Sequence, residues 1–206
     1  MSDPLRTARA ADRLYAIVLA AGASTRFGSP KQLVRIGGRP LLHTVVTRAA
    51  EVAGNALIVV LGSGAADLAP LLKHSPGCVV VNRHWREGLA SSIRTGIARV
   101  PPTCSGVLLM LADQAAVSTD DLRRLAGTWR RRPQCIAAAL YAGTTGAPAI
   151  FPRTAFGELA ALRGDMGARA ILRRSADRVV RVPMPAAQLD LDTPEDLLAI
   201  EPPQPT

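Results

Sequence analysis

The sequence predicts a single-domain α/β fold, an open and mainly parallel sheet with helices on both faces. Two observations carry this expectation. Short aliphatic runs alternate with longer amphipathic stretches along most of the 206 residues, the pattern of buried parallel strands joined by crossover helices. The boundaries between them hold capping and turn residues at the offsets helices require. Hydrophobic residues make up 48% and charged residues 20%, enough apolar material for one core without disulfide or metal staples.

The first run, residues 15–21 (YAIVLAA), is continuous enough to be buried on both faces. Further strands are expected at 56–61, 78–82, 107–111 and 136–141. Helical spacing falls between them, at 41–52, 68–73, 91–97 and 120–131. Ser118 followed by Asp121 resembles an acidic capping box, with Asp120 and Asp121 favourably placed against the helix dipole. Thr193, Pro194, Glu195 and Asp196 form another helix start: a hydroxyl cap, proline at the first helical position, and acids in the first turn. The expected organisation is an N-terminal extension over residues 1–13, the domain over 14–200, and a proline-rich tail over 201–206.

Composition also excludes. Only 3% of residues are aromatic, which disfavours a stacking platform for single-stranded nucleic acid. No apolar run approaches a membrane span and residues 1–13 lack an apolar central stretch, so a cytoplasmic protein without a membrane partner is expected. Cys78, Cys104 and Cys135 are odd in number and lack CxxC spacing, the expectation for buried thiols in a reducing compartment. Twenty-five Lys and Arg against sixteen Asp and Glu give a net charge of +9, a field that concentrates anionic ligands near clefts.

The chemistry-bearing segment follows the first strand: Gly22, Ala23, Ser24, Thr25, Arg26, Phe27, Gly28, Ser29, Pro30, Lys31. A loop of small residues lets backbone N–H groups approach an anion closely, and Arg26 and Lys31 add charge. It is neither a Walker A loop nor a G-x-G-x-x-G fingerprint, so neither an ATPase nor a dehydrogenase is favoured. Read generically, the same loop is a simple turn.

As a whole, LAAGASTRFGSPKQL closely resembles the signature of the MobA-like nucleotidyltransferases, which include the molybdenum cofactor cytidylyltransferases. The resemblance runs from about Tyr15 to Ile200 and implies a Rossmann-like nucleotidyltransferase fold. It places the triphosphate on the backbone of Gly22, Ala23 and Ser24, pairs Arg26 with its phosphates, sets Lys31 on the α-phosphate in the transition state, and gives Leu19, Ala20 and Ala21 as further nucleotide-binding residues. Arg26 and Lys31 are thus the implied catalytic residues. Asn82, Trp85, Glu87, Gly88, Ser91, Ser92 and Gly96 resemble the segment that approaches base and ribose. Ser92 with Gly96 has the spacing of a cytosine-contacting serine, and a generic helix cap at Ser91 or Ser92 is compatible with that.

In LMLADQ, Asp113 lies just beyond a strand, at the carboxyl end of the sheet where open α/β folds bind ligands. A carboxylate beside a triphosphate suits Mg²⁺, with Mn²⁺ an alternative. In LDLDTPEDL, alternation sends Asp190 and Asp192 to opposite faces. The family pattern selects Asp192 as second metal ligand, while the generic reading of Asp192 is a favourable helix-dipole charge. Gly146, Ala147 and Pro148, then Gly164, Asp165, Met166, Gly167, Ala168 and Arg169, resemble the family's acceptor-side segments, giving Ser91, Gly146, Pro148, Gly164 and Asp165 as acceptor-side residues. The chain departs from the family pattern at Ala115, where proline is usual, and at Ala147, where histidine is common.

The implied reaction moves CMP from CTP to a phosphorylated acceptor, molybdopterin above others, with release of pyrophosphate. Ala21 before Gly22 matches the cytidylyl pattern, where guanylyl relatives carry glycine. A molybdoenzyme or its chaperone is the implied recipient of the product. A sugar or polyol phosphate is the alternative acceptor. A non-catalytic nucleotide binder is disfavoured by the joint presence of Lys31, Arg26, Asp113 and Asp192, and a nucleic-acid binder by the lack of aromatic interleaving.

Overall fold

The computed structural model describes residues 13–23, 30–189, 191 and 196. Ser24, Arg26, Asp190, Asp192 and the helix start expected from Thr193 lie outside the described residues. The described elements begin with β1 (Leu14–Ala20), a two-strand ribbon β2 (Arg35–Ile36) and β3 (Arg39–Pro40), and α1 (Leu41–Ala53). Next come β4 (Leu57–Leu61), the short α2 (Ala65–Leu68), β5 (Cys78–Val81), α3 (Leu89–Ile97), β6 (Gly106–Leu111) and α4 (Thr119–Arg131). The remainder is β7 (Ile136–Tyr141), β8 (Thr144–Pro152), α5 (Phe156–Ala160), α6 (Arg169–Arg174) and β9 (Val179–Pro183).

Among the described residues, seven strands form one sheet in the order β5-β4-β1-β6-β8-β7-β9. Every neighbouring pair is parallel except the two made by β8, which runs antiparallel between β6 and β7. The expected architecture is therefore present, with one reversed strand. Helices cover both faces because β1 alternates: Ala16 and Val18 pack into a cluster with α1 and α4, while Ile17 and Leu19 pack into a second cluster with α3, α5 and α6. Both faces of β1 are buried, as its unbroken aliphatic run requires.

Local chemistry explains the boundaries. The Ser118 backbone N–H donates to Asp121 Oδ2 at 3.0 Å and the Asp121 N–H donates to Ser118 Oγ at 3.1 Å, so the capping box is complete. The helix expected at 68–73 is instead the four residues of α2 followed by a 3-10 turn over Ala69–Leu72, because Pro70 has no N–H to continue an α-helix. Strands β8 and β9 and the β2–β3 ribbon were not foreseen. The expectation of buried thiols holds for Cys104, whose pKa burial pushes up, but Cys78 is exposed because β5 is an edge strand. Among the described residues no helix is long and apolar enough to cross a membrane.

Candidate active site

The carboxyl ends of β1 and β6 lie level, with Leu19 opposite Leu111 in parallel register. The Ala112 N–H donates to the Leu19 carbonyl at 3.0 Å, carrying the pairing one step past the strand. The residues that follow each strand are therefore brought together: the Gly22 turn from β1 and Asp113 from β6. This is the crevice in which an open α/β sheet binds ligands.

A cavity of about 500 Å³ occupies that crevice, lined by Leu19 to Ala23, Lys31, Gln32, Trp85, Arg86, Gly88, Leu89, Ser92, Leu111 to Asp113, and Asp165. At its floor Lys31 Nζ donates to Asp113 Oδ2 at 2.6 Å, with both side chains largely shielded from solvent. The second carboxylate oxygen, Asp113 Oδ1, is buried and has no hydrogen-bond partner among the described residues. A buried acceptor left open beside a paired one is a costly arrangement unless something else binds it.

Neighbouring polar groups hold this floor in place. Gln32, 3% exposed, donates from Nε2 to the Gly22 carbonyl at 3.4 Å, tying Lys31's own turn to the small-residue loop. Gln114 is also buried: its Oε1 accepts from the Leu111 N–H at 3.2 Å and its Nε2 donates to the Ala147 carbonyl at 2.8 Å. It thus latches the Asp113 loop to β8. Arg48 reaches from α1 to donate to the carbonyls of Ala115 and Val117, and partial burial lowers its pKa despite Glu51 and Asp121 nearby. Sequence reasoning gave Gln32, Gln114 and Arg48 no role; a polar residue beside Lys31 and Asp113 was the signal available for the first two.

On the other side of the cavity, Gly88 takes φ +97° and sits so close to Gly164 and Asp165 that a Cβ would come within 2.3 Å of Asp165 Oδ1. Any side chain there is excluded both sterically and conformationally. The contact is how Asp165, expected on the acceptor side, enters the same cavity as Ser92. Arg94 reinforces it by pairing with Glu87 at 2.9 Å and donating to the Leu162 carbonyl at 2.8 Å. Arg86 lies 4.5 Å over the Trp85 ring at the rim.

Of the expected residues, Leu19, Ala20, Ala21, Gly22, Ala23, Lys31, Gly88, Ser92, Asp113 and Asp165 all line this cavity. Ser91 does not: its hydroxyl lies 2.9 Å from the His84 carbonyl and 2.8 Å from the Gly88 carbonyl, a position facing the protein. Gly146 and Pro148 lie in β8, and Gly164 backs Gly88. A second, mainly aliphatic cavity of about 290 Å³ adjoins the first through Leu19, Leu89 and Leu111, and contains Ala147, Gly167 and Arg169.

A doubly wound sheet with a small-residue loop, a lysine and a carboxylate converging at its switch point defines a nucleotidyltransferase. The chain belongs to the MobA-like NTP transferase domain family, whose model matches residues 16–179. It is 34% identical to Rv0371c from Mycobacterium tuberculosis H37Rv, with a TM-score of 0.78, covering 90% of this chain and 96% of that one. A structure of Rv0371c in complex with manganese superposes at TM-score 0.74 with 32% identity, covering 93% and 100%. Nicotine blue oxidoreductase of Paenarthrobacter nicotinovorans, whose name records a redox activity for that protein, is 30% identical over 77% of this chain and 80% of its own length. A nucleotidyl transferase from Methanothermobacter thermautotroptrophicus shares the fold at TM-score 0.79 and 20% identity, over 92% of this chain and 96% of that one.

Proposed function

We propose that the chain transfers CMP from CTP to a phosphorylated acceptor, molybdopterin in the molybdenum cofactor, and releases pyrophosphate. The observation that carries this reading is the Lys31–Asp113 pair on the floor of the cavity, beside the Gly22 turn. Lys31 supplies a cation for the α-phosphate, and the backbone from Gly22 to Ser24, with Arg26, receives the triphosphate. Ala21 and Ser92 border the region assigned to the cytosine base. Asp165 faces the acceptor from the opposite wall. A sugar or polyol phosphate is the alternative acceptor.

Asp113 fits a divalent cation because its Oδ1 is buried and open while Oδ2 is held by Lys31. Mg²⁺ is the proposed ion, with Mn²⁺ accepted in view of the manganese complex of Rv0371c, and Asp192 is the proposed second ligand. Such an ion neutralises triphosphate charge when bound. The acceptor phosphate is already ionised at neutral pH, so one of its oxygens attacks the α-phosphorus without a general base as the bond to the bridging β-oxygen breaks. The residues therefore act by positioning and by charge. The protein is placed in the cytoplasm, with a molybdoenzyme or its chaperone receiving the product.

Pyrophosphate release measured with each of CTP, GTP, ATP and UTP, against molybdenum cofactor and a panel of sugar and polyol phosphates, tests the proposal. Release confined to CTP with molybdenum cofactor is the expected result. Release with a sugar phosphate alone assigns the alternative acceptor, and preference for GTP removes the cytidylyl assignment.

A further inference from the structure

Asn82 follows β5 directly and is 2% exposed, and its amide group is fully engaged. Its Oδ1 accepts the His84 backbone N–H at 2.9 Å. A backbone N–H must face an acceptor, so the amide cannot be flipped, and Nδ2 must point the other way. There its two hydrogens reach Ser91 Oγ at 2.8 Å and Ser92 Oγ at 3.0 Å.

The two serines then differ. Ser91 accepts from Asn82 and has the His84 and Gly88 carbonyls within reach for its own proton. Ser92 accepts from Asn82 as well, but no other partner for it occurs among the described residues, and it is 3% exposed on the wall of the 500 Å³ cavity. With Asn82 occupying a lone pair, the Ser92 proton is left to donate toward the cavity. A hydroxyl that could otherwise either donate or accept is thereby biased toward donation.

We infer that Asn82 is a positioning residue that holds Ser92 as a hydrogen-bond donor, so that this wall selects a nucleotide base presenting a carbonyl oxygen or ring nitrogen to it. The inference rests on the reading that the base occupies this cavity. It assigns to Asn82 an effect on base selection that it exerts without touching the ligand.

The test is a double-mutant cycle read by calorimetry. CTP, UTP, GTP and ATP are first titrated into the wild-type protein with Mg²⁺, and the tightest binder is carried through Asn82→Asp, Ser92→Ala and the double variant. A carboxylate at position 82 only accepts, so the Ser92 proton turns inward and its lone pairs face the base. Asn82→Asp should weaken binding about tenfold or more, raise KM more than it lowers kcat, and lose most of its effect in the Ser92→Ala background. The uncharged Asn82→Ala variant, run through the same cycle, decides the matter if the aspartate variant does not fold. An equal loss with and without Ser92, or no loss in a folded protein, overturns the role of Asn82 alone. Failure of all four nucleotides to bind, or no effect of Ser92→Ala, overturns the placement of the base and the inference with it.

Discussion

Lys31 and Asp113, 82 residues apart in the chain, meet at 2.6 Å: Asp113 follows β6, and the turn that carries Lys31 is tied through Gln32 to the Gly22 carbonyl just beyond β1, the parallel neighbour that ends level with β6. Each partner is proposed to act on a different part of the same triphosphate. Their contact holds the cation and the carboxylate together in the cavity beside the Gly22 turn, where the triphosphate is proposed to bind.

Asp113→Ala should abolish turnover while the protein stays folded, because the side chain lies just beyond the end of β6, lines a cavity and contributes nothing to either core cluster. Circular dichroism and thermal melting check the fold, and titration with Mn²⁺ in the presence of CTP checks the metal. Near-normal turnover in a folded variant rules out Asp113 as a metal ligand.

Base choice is predicted from the Ala21 and Ser92 side of the cavity. CTP should bind more tightly than GTP in the presence of Mg²⁺. Calorimetry with the two nucleotides decides, and a preference for GTP removes the assignment.

Gly62 bears on the same wall. A Cβ there would lie 2.7 Å from Ala21 Cβ, from the Ala21 carbonyl and from Trp85 Cβ, closer than packed atoms tolerate. Gly62→Ala should destabilise the fold by about 1–3 kcal/mol and weaken nucleotide binding, since the Ala21 backbone must shift. Denaturant unfolding and nucleotide titration measure the two effects, and an unchanged protein would show the wall to be pliable.

Helix α4 offers a pH-dependent check. Burial acts to raise the Asp121 pKa, but hydrogen bonds from the Ser118 side chain and backbone, and from Arg124, outweigh it and hold the carboxyl below its usual range. A depressed folded pKa stabilises above the unfolded value of about 3.9 and loses that contribution as pH falls through the folded value. Ser118→Ala should cost about 1 kcal/mol at pH 7, and the gap from wild type should narrow below about pH 4. Melts at pH 7 and pH 3 test this; a gap that does not narrow removes the carboxylate from the account.

Much of this was legible in the sequence, for local reasons. The buried strands β1, β4, β6 and β7 are continuous aliphatic runs, and α4 announces itself through Ser118 and Asp121. Strand β8 was not legible because Gly146 and Pro148 interrupt it, and its reversed place between β6 and β7 is a tertiary fact with no local signal. The cavity residues were found largely through family resemblance. Gln32 and Gln114 were passed over because the carbonyls to which they donate lie well away in the chain, Ala147 being 33 residues from Gln114.

The most direct test of the account is single-turnover transfer of α-labelled phosphate from CTP at saturating nucleotide, comparing wild type with Lys31→Ala and Lys31→Arg. Charge that reorganises at the α-phosphate as pyrophosphate leaves is stabilised in the transition state more than in the ground state, which lowers the barrier without tightening binding. Lys31→Ala should slow transfer by about 10² to 10³ with little change in nucleotide Kd, and Lys31→Arg should recover part of the rate, since a planar fork meets the phosphates differently from a point charge. A strong rise in nucleotide Kd with transfer at saturation near wild type would contradict it, leaving Lys31 a binding residue only.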